Sequence, residues 1–173
     1  MRRSQLAVAL MFLGSTLAVA GEKIVVVNAI SEEGVGKIIG TVKLSDSDQG
    51  LLIDPDLGEL TPGPHGFHIH EKPSCGIGEK DGKQVAGLSA GGHYDPHKSA
   101  KHEGPEGHGH HGDLPALEVK EDGTATRIIV APRLKLAEIT GRSLMIHEGG
   151  DNYSDTPKPL GGGGGRIACG IIE

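Results

Sequence analysis

His68-Ile69-His70 places two imidazoles two residues apart. On a strand, residues i and i+2 point to one face, so both rings can reach one metal ion while Ile69 turns the other way. His147 closes the apolar run Ser143–Ile146 and is a third candidate, able to lie on a neighbouring strand. Imidazoles on a rigid sheet suit copper, zinc, iron or nickel rather than magnesium or calcium.

A second set follows in a glycine-rich stretch: His93, His102, His110 and Asp113. Three neutral imidazoles and one carboxylate make the closed tetrahedral shell of a structural zinc site. Gly92, Gly104, Gly107, Gly109 and Gly112 punctuate the set and let the backbone fold back tightly around an ion. Metal binding there would order the loop, because binding free energy becomes folding free energy. His97, in the same polar stretch, reads as a solvated side chain.

The elements that must position these groups are strands. Lys23–Ile30, Lys37–Leu44, Phe67–His70, Ala116–Lys120, Thr124–Ala131, Ser143–His147 and Ile167–Ile172 are short β-branched runs, separated by turn signals. Asp122-Gly123 between two such runs predicts a two-residue hairpin. No window carries a helical apolar stripe. The pattern predicts an all-β fold, a Greek-key barrel or sandwich of about eight antiparallel strands. Two segments stand apart, Glu71–Pro115 and Glu148–Gly165, each too long for an ordinary connection and dense in His, Gly and Asp. Loops of such length are usually functional or disordered. Metal binding and a disulfide would order these two.

Composition narrows the function further. The 173 residues carry a net charge of −6, which argues against a nucleic-acid partner. Met1-Arg2-Arg3, the apolar run Leu6–Leu13 and Ala18-Val19-Ala20 have the form of a cleaved export signal over residues 1–20. The run is too short to span a bilayer, and no other segment is apolar enough to do so. The mature domain would be residues 21–173, with 15 basic and 23 acidic residues and a net charge of −8. Cys75 and Cys169 in an exported chain point to a disulfide, and closing so long a loop is worth roughly 4–5 kcal/mol.

Six blocks together resemble the copper/zinc superoxide dismutases. They are Gly66-Phe67-His68-Ile69-His70-Glu71, Gly91-Gly92-His93-Tyr94-Asp95-Pro96, Lys101-His102-Glu103-Gly104-Pro105, His110-His111-Gly112-Asp113-Leu114-Pro115, Asp151-Asn152-Tyr153-Ser154-Asp155 with Pro159-Leu160-Gly161-Gly162, and Gly165-Arg166-Ile167-Ala168-Cys169-Gly170. The resemblance covers essentially the whole mature chain and is closest to the bacterial periplasmic type.

It implies dismutation of superoxide, with copper on His68, His70, His93 and His147. Zinc would lie on His93, His102, His110 and Asp113, so that His93 bridges the two ions. Arg166 would bind the anionic substrate, and Cys75 would pair with Cys169. Either Asp151 or Asp155 would be the carboxylate linking the two metal sites. His110 satisfies the family's His-x-Gly-Asp pattern, which leaves His108 and His111 solvated. His65 would pack beneath the site without coordinating. Because the net charge repels an anion, local positive charge must focus the field: Arg166, with Lys72, Lys80, Lys83, Lys98 and Lys158 as outer candidates. A metal carrier on the same fold would lack some of these ligands or the arginine, and a zinc hydrolase would need an open zinc position. No long apolar stripe in the sequence decides between monomer and homodimer.

Overall fold

Alternating burial decides where the sheet begins. Val25 and Val27 are buried while Ile24 and Val26 face outward, so β1 (Glu22–Ser31) lays one side on the core. The computed structural model describes residues 21–173, and the export signal expected over residues 1–20 lies outside the described residues. Ten further strands follow: β2 (Gly34–Ser47), β3 (Gly50–Leu57), β4 (Gly63–His65), β5 (Phe67–His70), β6 (Gly78–Lys80), β7 (Lys83–Val85), β8 (Leu117–Val119), β9 (Ile129–Ala131), β10 (Arg142–His147) and β11 (Arg166–Ile172). One helical turn, α1 (Leu136–Ile139), sits between β9 and β10.

Seven strands form one curled antiparallel sheet in the order β5-β10-β11-β1-β2-β3-β9. β4 and β8 pair in a separate two-stranded ladder. Gly66 leads β4 into β5 at one edge, and residues 120–128 lead β8 towards β9 at the other. Neighbours far apart in sequence, β5 with β10 and β3 with β9, mark the long Greek-key connections. The core is aliphatic apart from Phe67, with Val42, Leu44, Leu51, Ile53, Ile69, Leu144 and Ile146 among its fully buried members. Ile24, Val26, Val35, Ile38 and Ile171 stand exposed on β1, β2 and β11, an apolar outer face that the strand pattern alone does not announce.

Three expectations need correction. β3 was not expected, because Asp54, Pro55 and Asp56 interrupt its apolar run. The proline is tolerated because β9 pairs only with Leu51–Ile53, and Pro55 falls in the gap before the Leu57–Ala125 bridge. Asp122-Gly123 does turn the chain, but as a three-residue loop closed by Lys120 N–H on the Thr124 carbonyl at 2.8 Å. The chain then parts, β8 pairing with β4 and β9 with β3, so the expected strand Thr124–Ala131 is reduced to its last three residues. The tight two-residue hairpin is instead Asp81-Gly82, with φ of 53° and 73°, joining β6 to β7 inside the first long loop.

Candidate metal centre

β5 is buried on both faces, and this makes the site possible. Phe67 and Ile69 face the core, while His68 and His70 face the other way and are covered by the long loops. Its free edge is capped by loop backbone: Tyr94 N–H donates to the Ile69 carbonyl at 2.8 Å, and Ile69 N–H donates to that of Gly112 at 2.9 Å. Backbone bridges His70–His93 and His68–Asp113 follow from this docking. On the other side Met145 pairs with His68, and His147 lies two residues further along β10. Strand and loop thus deliver His68, His70, His93 and His147 to one place, with ligand atoms within 4.8 Å of one another.

A second group, His68, His93, His102 and Asp113, meets the same limit. The expected zinc set had His110 where this group has His68. His68 joins because its ring stacks on His93 at 3.9 Å between centroids. His110 is close by, its Nδ1 3.5 Å from Asp113 Oδ1 and its ring 5.2 Å from that of His93. His93 Nδ1 and His102 Nδ1 lie 2.9 and 3.0 Å from the two oxygens of Asp113.

The ring protons are assigned by the surrounding acceptors. Asp151 accepts from His68 Nε2 and from His102 Nε2, both at 2.7 Å, one oxygen to each. This leaves Nδ1 of His68 as a lone pair, and Nδ1 of His102 becomes one when that ring gives up its second proton to a metal. Asp151, rather than Asp155, is therefore the carboxylate that joins these two rings. Asp155 accepts from the backbone N–H of His102 at 2.9 Å and of Leu160 at 3.2 Å, and so shapes the second loop instead. His70 Nδ1 donates to the Gly91 carbonyl at 3.0 Å and His147 Nδ1 to that of Gly164 at 3.3 Å. Their Nε2 atoms then face each other at 3.4 Å with no proton between them.

Burial and neighbouring charge fix the ionisation. Burial, helped by the charge of His68, pushes His93 down to about 3. Burial with His68 and His93 takes His147 down to about 2. Burial also lowers His68, although Asp151 opposes it, and holds His70 well below the usual range. Neutral imidazole is the form that binds metal. For His102 burial works downward as well, but hydrogen bonds to Asp113 and Asp151 outweigh it and push the ring up to about 9. Burial would raise Asp113, yet the bonds to His102, His110 and His93 hold it far below the usual carboxylate range.

Lone pairs converging without protons are otherwise unfavourable. His68 Nδ1 and His93 Nε2 are buried without a hydrogen-bond partner, and His102 Nδ1 and His110 Nδ1 have only the Asp113 carboxylate beside them. A buried polar atom left so costs about 1–3 kcal/mol. Cations placed among them remove that cost, and the donor set, imidazole with one carboxylate, suits copper and zinc. The residues present fit the two ions.

Arg166 stands at the start of β11, half-buried, and donates to the carbonyls of Gly87 and, at 2.7 Å, of Gly91. Cys75 and Cys169 are joined, fastening the first loop to the same strand. His65 binds the carbonyls of His147 at 2.6 Å and Thr61 at 2.8 Å and lies outside both ligand groups. His108 is exposed, as are Lys72, Lys80, Lys83, Lys98 and Lys158.

Two groups to which the sequence assigns no role hold the loops. Arg133 donates to the carbonyls of Pro105 at 2.8 Å, Gly104 at 3.1 Å and His110 at 2.7 Å, clamping the backbone that carries His110. Tyr153, from the second loop, packs on Gly104 and accepts the N–H of Ala116 at 3.0 Å. Backbone carbonyls carry no residue signature, so no motif could have marked Arg133. Tyr94 lies in the first loop under the Arg142 guanidinium, 3.6 Å from ring centroid to Cζ.

Residues 38–172 match the family model described as copper/zinc superoxide dismutase (SODC). The superoxide dismutase [Cu-Zn] of Escherichia coli (strain K12) is 55% identical over 174 residues, covering 100% of each chain. That of Brucella abortus biovar 1 (strain 9-941) is 60% identical over 141 residues, 81% of this chain and 82% of its own. The solved Cu/Zn superoxide dismutase from Brucella abortus superposes with a TM-score of 0.87 at 56% identity, covering 88% of this chain and all of the other. The monomeric copper, zinc superoxide dismutase from Salmonella enterica, solved in solution, gives 0.81 at 55% identity, with 88% and 100% covered. A curled sheet with two ligand groups at its loop-covered edge and identity sustained over the full length lead to one assignment: the chain belongs to the copper/zinc superoxide dismutase family.

Proposed function

We propose that this chain removes superoxide from the bacterial envelope, converting two superoxide anions and two protons to dioxygen and hydrogen peroxide. As a member of its family it is an oxidoreductase with copper and zinc as cofactors. His68 Nδ1 with Nε2 of His70, His93 and His147 would hold copper. Nδ1 of His93, His102 and His110 with Asp113 would hold zinc. The observation that carries this reading is the Asp151 bridge: by taking the Nε2 protons of His68 and His102, it turns the Nδ1 of one ring to each site.

Copper supplies one-electron exchange in both directions, and zinc, which has no redox chemistry, supplies fixed charge. The protein does the rest. Arg166 offers a planar fork of donors to the anion and keeps its charge at any working pH. The carbonyls of Gly87 and Gly91 hold that fork in place. With Nδ1 on zinc and free of its own proton, His93 Nε2 would be the atom that, when not held by copper, takes up a proton and passes it to the reduced substrate. Asp113, 2.9 Å from His93 Nδ1, would share zinc with that ring and so keep it oriented. Residues 1–20 direct export and are removed, which agrees with an oxidised Cys75–Cys169 pair.

Superoxide consumption measured alongside elemental copper and zinc tests the reading. His70→Ala should lose copper and activity while keeping most zinc. Full activity with stoichiometric copper in that variant overturns the ligand assignment. The N-terminal sequence of the exported protein should begin at Gly21.

A further inference from the structure

Of the four histidines that the two resident sites leave unused, His97 and His111 lie together. His97 and His111 face each other with ring centroids 5.8 Å apart and planes at 88°. Ring pairs on the proposed zinc side are spaced alike, at 5.4 Å for His93–His102 and 6.0 Å for His102–His110. Glu138 brings a carboxylate from α1, its Oε1 3.6 Å from His111 Nε2. Two ligand atoms on one ion at bonds of about 2.0–2.1 Å lie roughly 3.3–3.5 Å apart, so His111 and Glu138 need little adjustment, whereas His97 must turn towards them to join the set. The carboxylate is already anchored, because Oε2 accepts the Lys135 N–H at 2.8 Å and leaves Oε1 free. His111 is held against Tyr94 at 5.9 Å, while His97 is exposed and can turn to close the set.

The geometry points to an accessory surface site for a divalent transition-metal ion, with His97, His111 and Glu138 as its protein ligands and water completing the shell. Two imidazoles and a carboxylate select zinc(II) or copper(II) over calcium and magnesium, which take oxygen. The site shares no ligand with either resident group, and it does not depend on the reading of the resident pair. Its exposure means that the ion exchanges with solvent and is held more weakly than the buried two.

Titrating zinc chloride into fully copper- and zinc-loaded protein tests this, by calorimetry and by the imidazole signals in NMR spectra. One further equivalent should bind, shifting the rings of His97 and His111. His97→Asn and Glu138→Gln should each weaken that step at least ten-fold and leave superoxide consumption unchanged. His108→Asn should leave it intact. Absence of a third equivalent overturns the site, and so does a third equivalent that both variants retain or that His108→Asn removes.

Discussion

His70 and Arg166 donate to one and the same oxygen, the carbonyl of Gly91, at 3.0 and 2.7 Å. A ring proposed to hold copper and the guanidinium proposed to receive substrate are therefore referenced to a single backbone atom, and neither can shift without loading the other's bond.

Arg166→Ile should cut superoxide consumption by roughly ten-fold or more, within the range of electrostatic steering, and flatten its dependence on ionic strength. Copper content should stay unchanged. The carbonyls of Gly87 and Gly91 also lose a charged donor, so stability should fall by about 1.5–3 kcal/mol. Arg166→Lys keeps the charge and should fall between the two in activity. Equal impairment of both variants with an unaltered salt slope would reduce Arg166 to a brace for the loop.

Asp151→Asn should weaken retention of both ions by about 10–100-fold, because an amide cannot accept from two ring N–H groups with both of its ends. Dialysis against a graded chelator, followed by metal analysis, reads this directly. Loss confined to one metal would show that the bridge does not couple the sites.

Gly161→Ala should produce the same double loss with every donor intact. An added Cβ would lie 2.0 Å from Asp151 Oδ1 and 2.8 Å from His102 Nε2, at a φ of +70°. Gly164→Ala is the control, since it shares the φ of +70° but its Cβ would meet nothing nearer than 4.0 Å. If both variants keep their metals equally well, the steric account of Gly161 is wrong.

Much of this centre was legible because side-chain chemistry and strand periodicity coincide. His68-Ile69-His70 announces a shared face, and His147 ends a run that had to be a strand. The choice between Asp151 and Asp155 was not legible: they stand four residues apart in one loop, and only its folding sends one to the rings and the other to backbone. Asp81-Gly82 and Asp122-Gly123 show a similar limit. The same dipeptide made a tight hairpin in one place and a wider turn in the other, because long-range pairing of β8 with β4 and β9 with β3 outweighs the local preference. Arg133 and the carbonyls of Gly87 and Gly91 were invisible, since what matters there is backbone position.

Arg133→Ala should release the loop segment 101–110. Amide exchange there should quicken in the metal-free protein, and zinc retention should fall by about ten-fold, as for loss of an orienting partner. Unchanged exchange would mean that Tyr153 and Asp155 suffice to hold the segment.

The metal-free protein should lose stability on acidification, beginning near pH 6.5. His93 and His147 titrate at about 3 and about 2 when folded but near 6.5 when unfolded, so unfolding takes up protons throughout that window. Each such ring steepens the loss by about 1.4 kcal/mol per pH unit. His102 has the opposite sign: raised to about 9, it contributes stability that is complete below pH 6.5 and is lost as pH rises through 9. Thermal melts of the metal-free chain across pH 4–9 check both arms. A midpoint that does not move between pH 6.5 and 4 would contradict the burial of these rings as neutral species.

The placement of the two tyrosines gives the molecule a native optical readout. With no tryptophan, ultraviolet emission comes only from Tyr94 and Tyr153, one in each long loop and none on a barrel strand. Fluorescence therefore watches the loops, while circular dichroism watches the sheet. Recorded together during unfolding or metal stripping, the two signals separate detachment of the loops from collapse of the barrel, with no label introduced.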